Sequence, residues 1–183
     1  IAEPELFILA EAMLGQLESE TSSSGINSTL FSGLTRTEVI QQLRSKLQNP
    51  SSVGAINSGG WFCGTAADMV VASNYNPLAY ISTVWDLVTT GQVNVMGGNV
   101  TTIIVPDWVK TEAQTSGIVS VDEIVRNSLR ASENINSDDN FMQCGSSVKQ
   151  GTPPWEQDNQ MSRLGLGVKS KSYYTGQSNR DLN

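Results

Sequence analysis

The stretch on which the interpretation of this chain depends is Asn57-Ser-Gly-Gly-Trp-Phe-Cys63-Gly-Thr-Ala-Ala-Asp-Met-Val-Val71. Gly59 and Gly60 permit backbone conformations that residues with a Cβ atom resist. The apolar residues after Gly64 predict a buried helix, so we expect Cys63 at or just before a helix N-terminus. The free N–H groups and the positive end of the helix dipole at that position favour a thiolate over a thiol. The stretch therefore predicts a reactive cysteine.

Charge and hydropathy exclude two classes of partner. The chain has 183 residues and a formal net charge of −7, with 18 acidic and 11 basic residues. The basic residues form no run, and an acidic surface disfavours a phosphate backbone, so we expect no nucleic-acid partner. No apolar run approaches the roughly 18 residues of a bilayer-spanning helix, so no membrane span is predicted.

Residue 1 is Ile rather than Met, and we expect a chain that has been processed or cut from something longer. The polar, lysine-poor composition is common in exported proteins.

The chain contains two cysteines, Cys63 and Cys144, and no histidine. Neither cysteine lies in a CxxC pair, and without histidine a zinc site is not expected. We therefore predict no metal and no cofactor. Three interpretations of Cys63 stay open: a nucleophile, a small buried structural thiol, and one half of a disulfide with Cys144. Cys144 has no helix predicted after it, which favours a structural role.

Periodicity and capping residues predict helices in the first half of the chain. Residues 4–18 carry apolar side chains at helical spacing, and residues 19–33 are rich in Ser, Thr and Gly and predict a loop. Thr35 and Glu38 form a candidate capping box, which begins a helix that Asn49-Pro50 should end.

The middle of the chain predicts two further helices and a hairpin. The helix after Cys63 should end near Asn74. Asn76-Pro77 has the form of an N-cap followed by Pro at the first helical position, and Gly91 should end that helix. Alternating β-branched residues then predict a hairpin over about 92–105, which turns at Gly97-Gly98-Asn99.

A second candidate capping box, Ser120-x-x-Glu123, predicts another helix. We interpret Asp107, Asp122 and Glu123 as capping or solvent-facing charges rather than as an acidic site. After about residue 133 large aliphatic residues are few, and no helical or strand periodicity is evident. The predicted organisation is an α+β domain over 1–133, mainly helical with a small antiparallel β element, followed by an irregular or partly disordered tail over 134–183.

The central stretch resembles the nucleophile-bearing half of papain-like and bacteriocin-processing (C39-like) cysteine peptidases. In these families a Cys-Gly segment opens the central helix, as in Cys63-Gly64-Thr65-Ala66-Ala67. A Gln about six positions earlier donates to the oxyanion hole, and Asn57 holds that position here with the same type of amide. The segments from Asn76-Pro77 to Gly91 and from Ser128 to Asn134 are similar to segments of bacterial effector proteins of this type. The resemblance covers roughly residues 55–135.

The resemblance implies a papain-like arrangement in a thiol hydrolase, a peptidase or amidase, that acts on a peptide or protein substrate. Cys63 would attack the carbonyl, and its own N–H with the Asn57 side chain would hold the oxyanion. The structural alternative for Asn57 is an ordinary loop residue, since Asn is common in turns. The family also carries a histidine as base and an Asn or Asp that orients it, and this chain has no histidine. We therefore expect a further segment or chain to supply it, and these 183 residues alone to be inactive. The alternative is a non-catalytic binding or structural protein on a degenerate scaffold.

Overall fold

A computed structural model of the chain describes residues 4–53, 63–94, 102–116, 120–133 and 154–166. Most of these residues are helical and two short strands form a small sheet, which confirms a helix-dominated α+β fold. The elements are α1 Pro4–Ser24, α2 Arg36–Gln48, a 3₁₀ turn Pro50–Ser52, α3 Cys63–Tyr75, α4 Pro77–Thr90, β1 Gln92–Asn94, β2 Thr102–Ile104, α5 Asp107–Ser116, α6 Val121–Glu133 and α7 Pro154–Arg163.

Helix α1 is longer than the sequence pattern indicates. It continues to Ser24, so the loop predicted from residue 19 begins later. Tertiary packing explains the difference. Leu14, Leu17 and Thr21 follow one face of the helix and are buried, and α1 packs against α2 and α4. Contacts on that face offset the weak intrinsic helix preference of the Ser-rich end.

Helix α2 begins with the predicted capping box. The Glu38 N–H donates to Thr35 Oγ1 at 3.2 Å, and the Thr35 N–H donates to Glu38 Oε2 at 2.7 Å. The helix ends at Gln48, directly before Asn49-Pro50 as predicted. Its apolar residues share one face and enter the core: Val39, Ile40, Leu43 and Leu47.

Helix α4 lies at the centre of the fold and contacts α1, α2, α3, α6 and β1. Its predicted ends are confirmed. Asn76 caps the N-terminus by accepting from the Ala79 N–H at 3.2 Å, Pro77 is the first helical residue, and Gly91 ends the helix with φ +81°. Only glycine adopts this left-handed conformation without strain.

The two strands pair antiparallel, as the sequence predicts, with Val93 opposite Ile103. Both side chains are buried, and β1 packs on α4 while β2 packs on α6. The predicted turn at Gly97-Gly98-Asn99 and the position of Val95 lie outside the described residues.

The segment that the sequence assigns to an irregular tail contains α7, which packs against α3. Three backbone features end this helix. The Gly165 N–H donates to the Ser162 carbonyl, the Leu166 N–H donates to the Met161 carbonyl, and Gly165 has φ +81°. This is a Schellman motif, which satisfies the last carbonyls of a helix. Leu164 beside it is fully buried in the apolar core.

Candidate functional site

The structure places Cys63 at the first residue of α3. The prediction that a helix begins at or directly after Cys63 is therefore confirmed for the backbone. The first N–H groups of an α-helix have no partner within the helix, and the macrodipole adds partial positive charge at this end. Asn57 and Cys144 lie outside the described residues.

Helix α3 has a buried face and an exposed face. Thr65, Asp68, Met69 and Ala72 are buried. The opposite face carries three exposed residues, Ala67, Val71 and Tyr75, at intervals of four.

A three-residue polar cluster joins α2, α4 and α6, and we call it the Asp122 cluster. Lys46 Nζ lies 2.6 Å from Asp122 Oδ2, and Tyr80 Oη donates to Asp122 Oδ1 at 3.1 Å. Lys46 also donates to the Ser52 carbonyl at 2.9 Å. The Asp122 side chain is 2% exposed and the Lys46 side chain is 17% exposed. The interpretation of Asp122 as a solvent-facing charge is therefore wrong, although the residue does lie in the first turn of α6.

The electrostatics of the Asp122 cluster indicate a structural role. Burial raises the pKa of Tyr80 well above its usual value, and the charge of Asp122 and the hydrogen bond to it raise the pKa further. An ammonium group held against a carboxylate at 2.6 Å is an ion pair, whereas a lysine base needs the neutral amine. The ammonium and the carboxylate are paired with each other, as buried charges in proteins usually are.

The Asp122 cluster is also remote from the start of α3. It borders a small pocket whose lining includes Lys46, Tyr80 and Ser73. Ser73 is ten residues after Cys63, so the helix rise of about 1.5 Å per residue separates them by roughly 15 Å. The pocket is small, with a volume of about 10 Å³, which is enough for one water molecule. The pocket beside the Asp122 cluster is therefore not the expected site of a base for Cys63.

A second set of buried polar side chains lies where α6 and α7 meet. An Arg163 guanidinium N–H donates to Ser132 Oγ, and both side chains are buried. Gln160, one turn earlier on α7, is fully buried, and neither its amide nitrogen nor its amide oxygen has a hydrogen-bond partner among the described residues. Sequence analysis missed these residues because α7 lies in a segment with few large aliphatic side chains.

Within the described ranges, no three His, Cys, Asp or Glu side chains come together in a way that could hold a metal ion. The same ranges contain no helix that is both long enough and apolar enough to cross a bilayer. The second observation agrees with the prediction of no membrane span.

Comparisons with known proteins assign this chain to no family. No protein-family model, no curated protein and no solved structure matches the chain.

Proposed function

We propose that this chain is the nucleophile-bearing part of a thiol hydrolase, a peptidase or amidase, with Cys63 as the nucleophile. The observation that supports the proposal is the start of α3 at Cys63. At this position the helix dipole and the N–H groups without partners in the helix lower the pKa of a thiol and raise its thiolate fraction at neutral pH.

A further observation agrees with a nucleophile at position 63. Helix α3 is held in the fold by packing against α4, α6 and the 3₁₀ turn. A nucleophile on a fixed helix keeps its orientation toward a substrate carbonyl.

The chemistry would proceed in two stages: Cys63 displaces the amine to form a thioester, and water then hydrolyses the thioester, which releases the acid and restores the thiol. The Cys63 thiolate attacks the carbonyl carbon and forms a thioester, while the N–H groups at the start of α3, with the Asn57 amide, stabilise the oxyanion. The leaving amine needs a proton, and a positioned acid–base group contributes about 10²- to 10⁴-fold in rate. The chain has no histidine, and Lys46 is paired with Asp122, so a residue from another segment or chain would supply this proton.

The absence of histidine also favours a second candidate function. A degenerate scaffold that binds a peptide or protein without cleaving it needs no general acid. The two candidates differ in one property: the hydrolase requires a reactive thiolate at Cys63, and the binding protein does not.

An activated ester separates the two candidates, because its leaving group departs without a proton. We expect 4-nitrophenyl acetate to acylate Cys63 and to release one equivalent of nitrophenolate per chain near neutral pH. The release should persist in Cys144→Ala and disappear in Cys63→Ala. Mass spectrometry of the peptide containing Cys63 locates the acetyl group. A burst that is absent from the intact chain, or that is unchanged in Cys63→Ala, would contradict the proposed nucleophile and favour the binding protein.

A further inference from the structure

The side chains that attach α7 to the fold differ along the helix. At its C-terminal turn, Leu164 enters the apolar core and the Gly165 carbonyl accepts from the Asn76 side chain at 3.1 Å. Before Leu164 the buried side chains are polar: Arg163 directly precedes it, and Gln160 lies one turn earlier. The described part of α7 is therefore anchored by apolar packing at its end and carries buried polar side chains before it.

Gln160 weakens the docked state of α7. Its amide is fully buried, and both of its polar atoms lack partners in the part of the chain that the structure describes. When α7 leaves α3, these atoms regain water, so the docked helix bears a desolvation cost that the undocked segment does not. The same position occupied by an apolar residue of equal size would bear no such cost.

We propose that α7 is a detachable strap over α3, hinged at residues 164–166. In the closed state the helix covers part of α3, and in the open state that surface becomes accessible. A free helix of ten residues is marginal in water, so α7 loses its helical hydrogen bonds when it undocks. Opening is thus a local unfolding of one element while the apolar core stays folded. Opening of α7 requires no reaction at Cys63.

Amide hydrogen exchange, measured on the full chain, tests whether α7 opens while the rest of the fold stays closed. The amides of residues 158–163 should exchange at least tenfold faster than the slowest amides of α2 and α4, which are held by the apolar core. Ser132→Ala removes the hydroxyl that accepts from Arg163, and it should accelerate exchange in α7 about threefold or more while leaving α2 unchanged.

Gln160→Met is the matched variant, because methionine has nearly the same volume and no buried amide. It should slow exchange in α7 by roughly tenfold, as expected when an unsatisfied buried polar group is removed. The slowest amides of α2 report whether the variant remains folded. Equal protection of α7 and α2 in the unmodified chain, or unchanged or faster exchange of α7 in Gln160→Met, overturns the proposal.

Discussion

Asn76 and Gly165 are 89 residues apart in sequence and are joined by one hydrogen bond, from Asn76 Nδ2 to the Gly165 carbonyl at 3.1 Å. The other atom of the same amide, Asn76 Oδ1, caps α4 by accepting from the Ala79 N–H. One side chain therefore begins the central helix and fixes the end of α7. A Cβ atom at residue 165 would lie 2.8 Å from Ala79 Cβ, so the contact also requires glycine.

The first prediction concerns the glycines. Gly165→Ala should lower the free energy of unfolding by about 2–3 kcal/mol, because a left-handed φ costs a residue with a side chain about 1–3 kcal/mol and the Cβ clash adds to it. Gly15→Ala is the control. Gly15 lies inside α1, where an added methyl group would meet none of the described atoms within 4 Å, and the change should stabilise by about 0.5–1 kcal/mol. Urea unfolding measures both. A Gly165→Ala variant as stable as the parent would contradict the contact.

The second prediction separates the two roles of Asn76. Serine also caps helices but is too short to reach the Gly165 carbonyl. Asn76→Ser should therefore lose only the long-range hydrogen bond, about 0.5–1.5 kcal/mol. Asn76→Ala should lose the cap as well, about 1 kcal/mol more. Denaturant unfolding of the two variants gives the difference, and equal losses would show that the cap is not important for stability.

The third prediction concerns the capping box of α2. Hydrogen bonds from Thr35, first from its side chain and then from its backbone, lower the pKa of Glu38. A lowered pKa in the folded state contributes stability above the unfolded pKa of about 4.3, and this contribution is lost as the pH falls through the folded value. In Thr35→Val the pKa of Glu38, followed by NMR, should rise toward its usual value. The stability difference between Thr35→Val and the parent should shrink on acidification.

The fourth prediction concerns the buried ion pair. Asp122→Asn leaves the Lys46 ammonium without its carboxylate, and it should destabilise by about 2–4 kcal/mol. Asp107→Asn is the matched control, because Asp107 is exposed and pairs with Lys110 at 2.9 Å. An exposed pair contributes about 0–1 kcal/mol. Similar small losses in the two variants would show that the Asp122 cluster does not stabilise the fold.

The fifth prediction concerns alkaline pH. Burial, and then Asp122, raise the pKa of Tyr80 above the usual value of about 10. A raised pKa gives stability that is complete below the unfolded pKa and is lost as the pH rises through the folded one. Above about pH 10, the stability of Tyr80→Phe should therefore fall less steeply than that of the parent chain. Parallel curves would indicate that Tyr80 ionises normally.

Local signals in the sequence predicted the elements that local contacts define. The capping box at Thr35 and the Asn76-Pro77 start of α4 lie within four residues of the groups they satisfy, so the sequence alone reveals them. Helix α7 could not be predicted in this way, because its stabilising partners, Asn76 and Ser132, are far away in sequence.

The same limit applies to the candidate site. The start of α3 at Cys63 follows from the apolar pattern that succeeds it, and it was predicted. The Asp122 cluster joins residues on three helices, and nothing in the neighbourhood of Asp122 indicates burial beside Lys46. The role of Asn57 and the papain-like arrangement stay predictions.

The position of Leu164 in the core has a consequence for synthesis. Apart from Leu164, the apolar core of the described residues is built between Ala10 and Leu129. A nascent chain emerges with its N-terminus first, at about 5–20 residues per second, so the roughly 35 residues from 129 to 164 take about 2–7 s. During this interval the part of the core that Leu164 fills stays open to water. The described part of the core is therefore completed only after translation has passed the segment between α6 and α7.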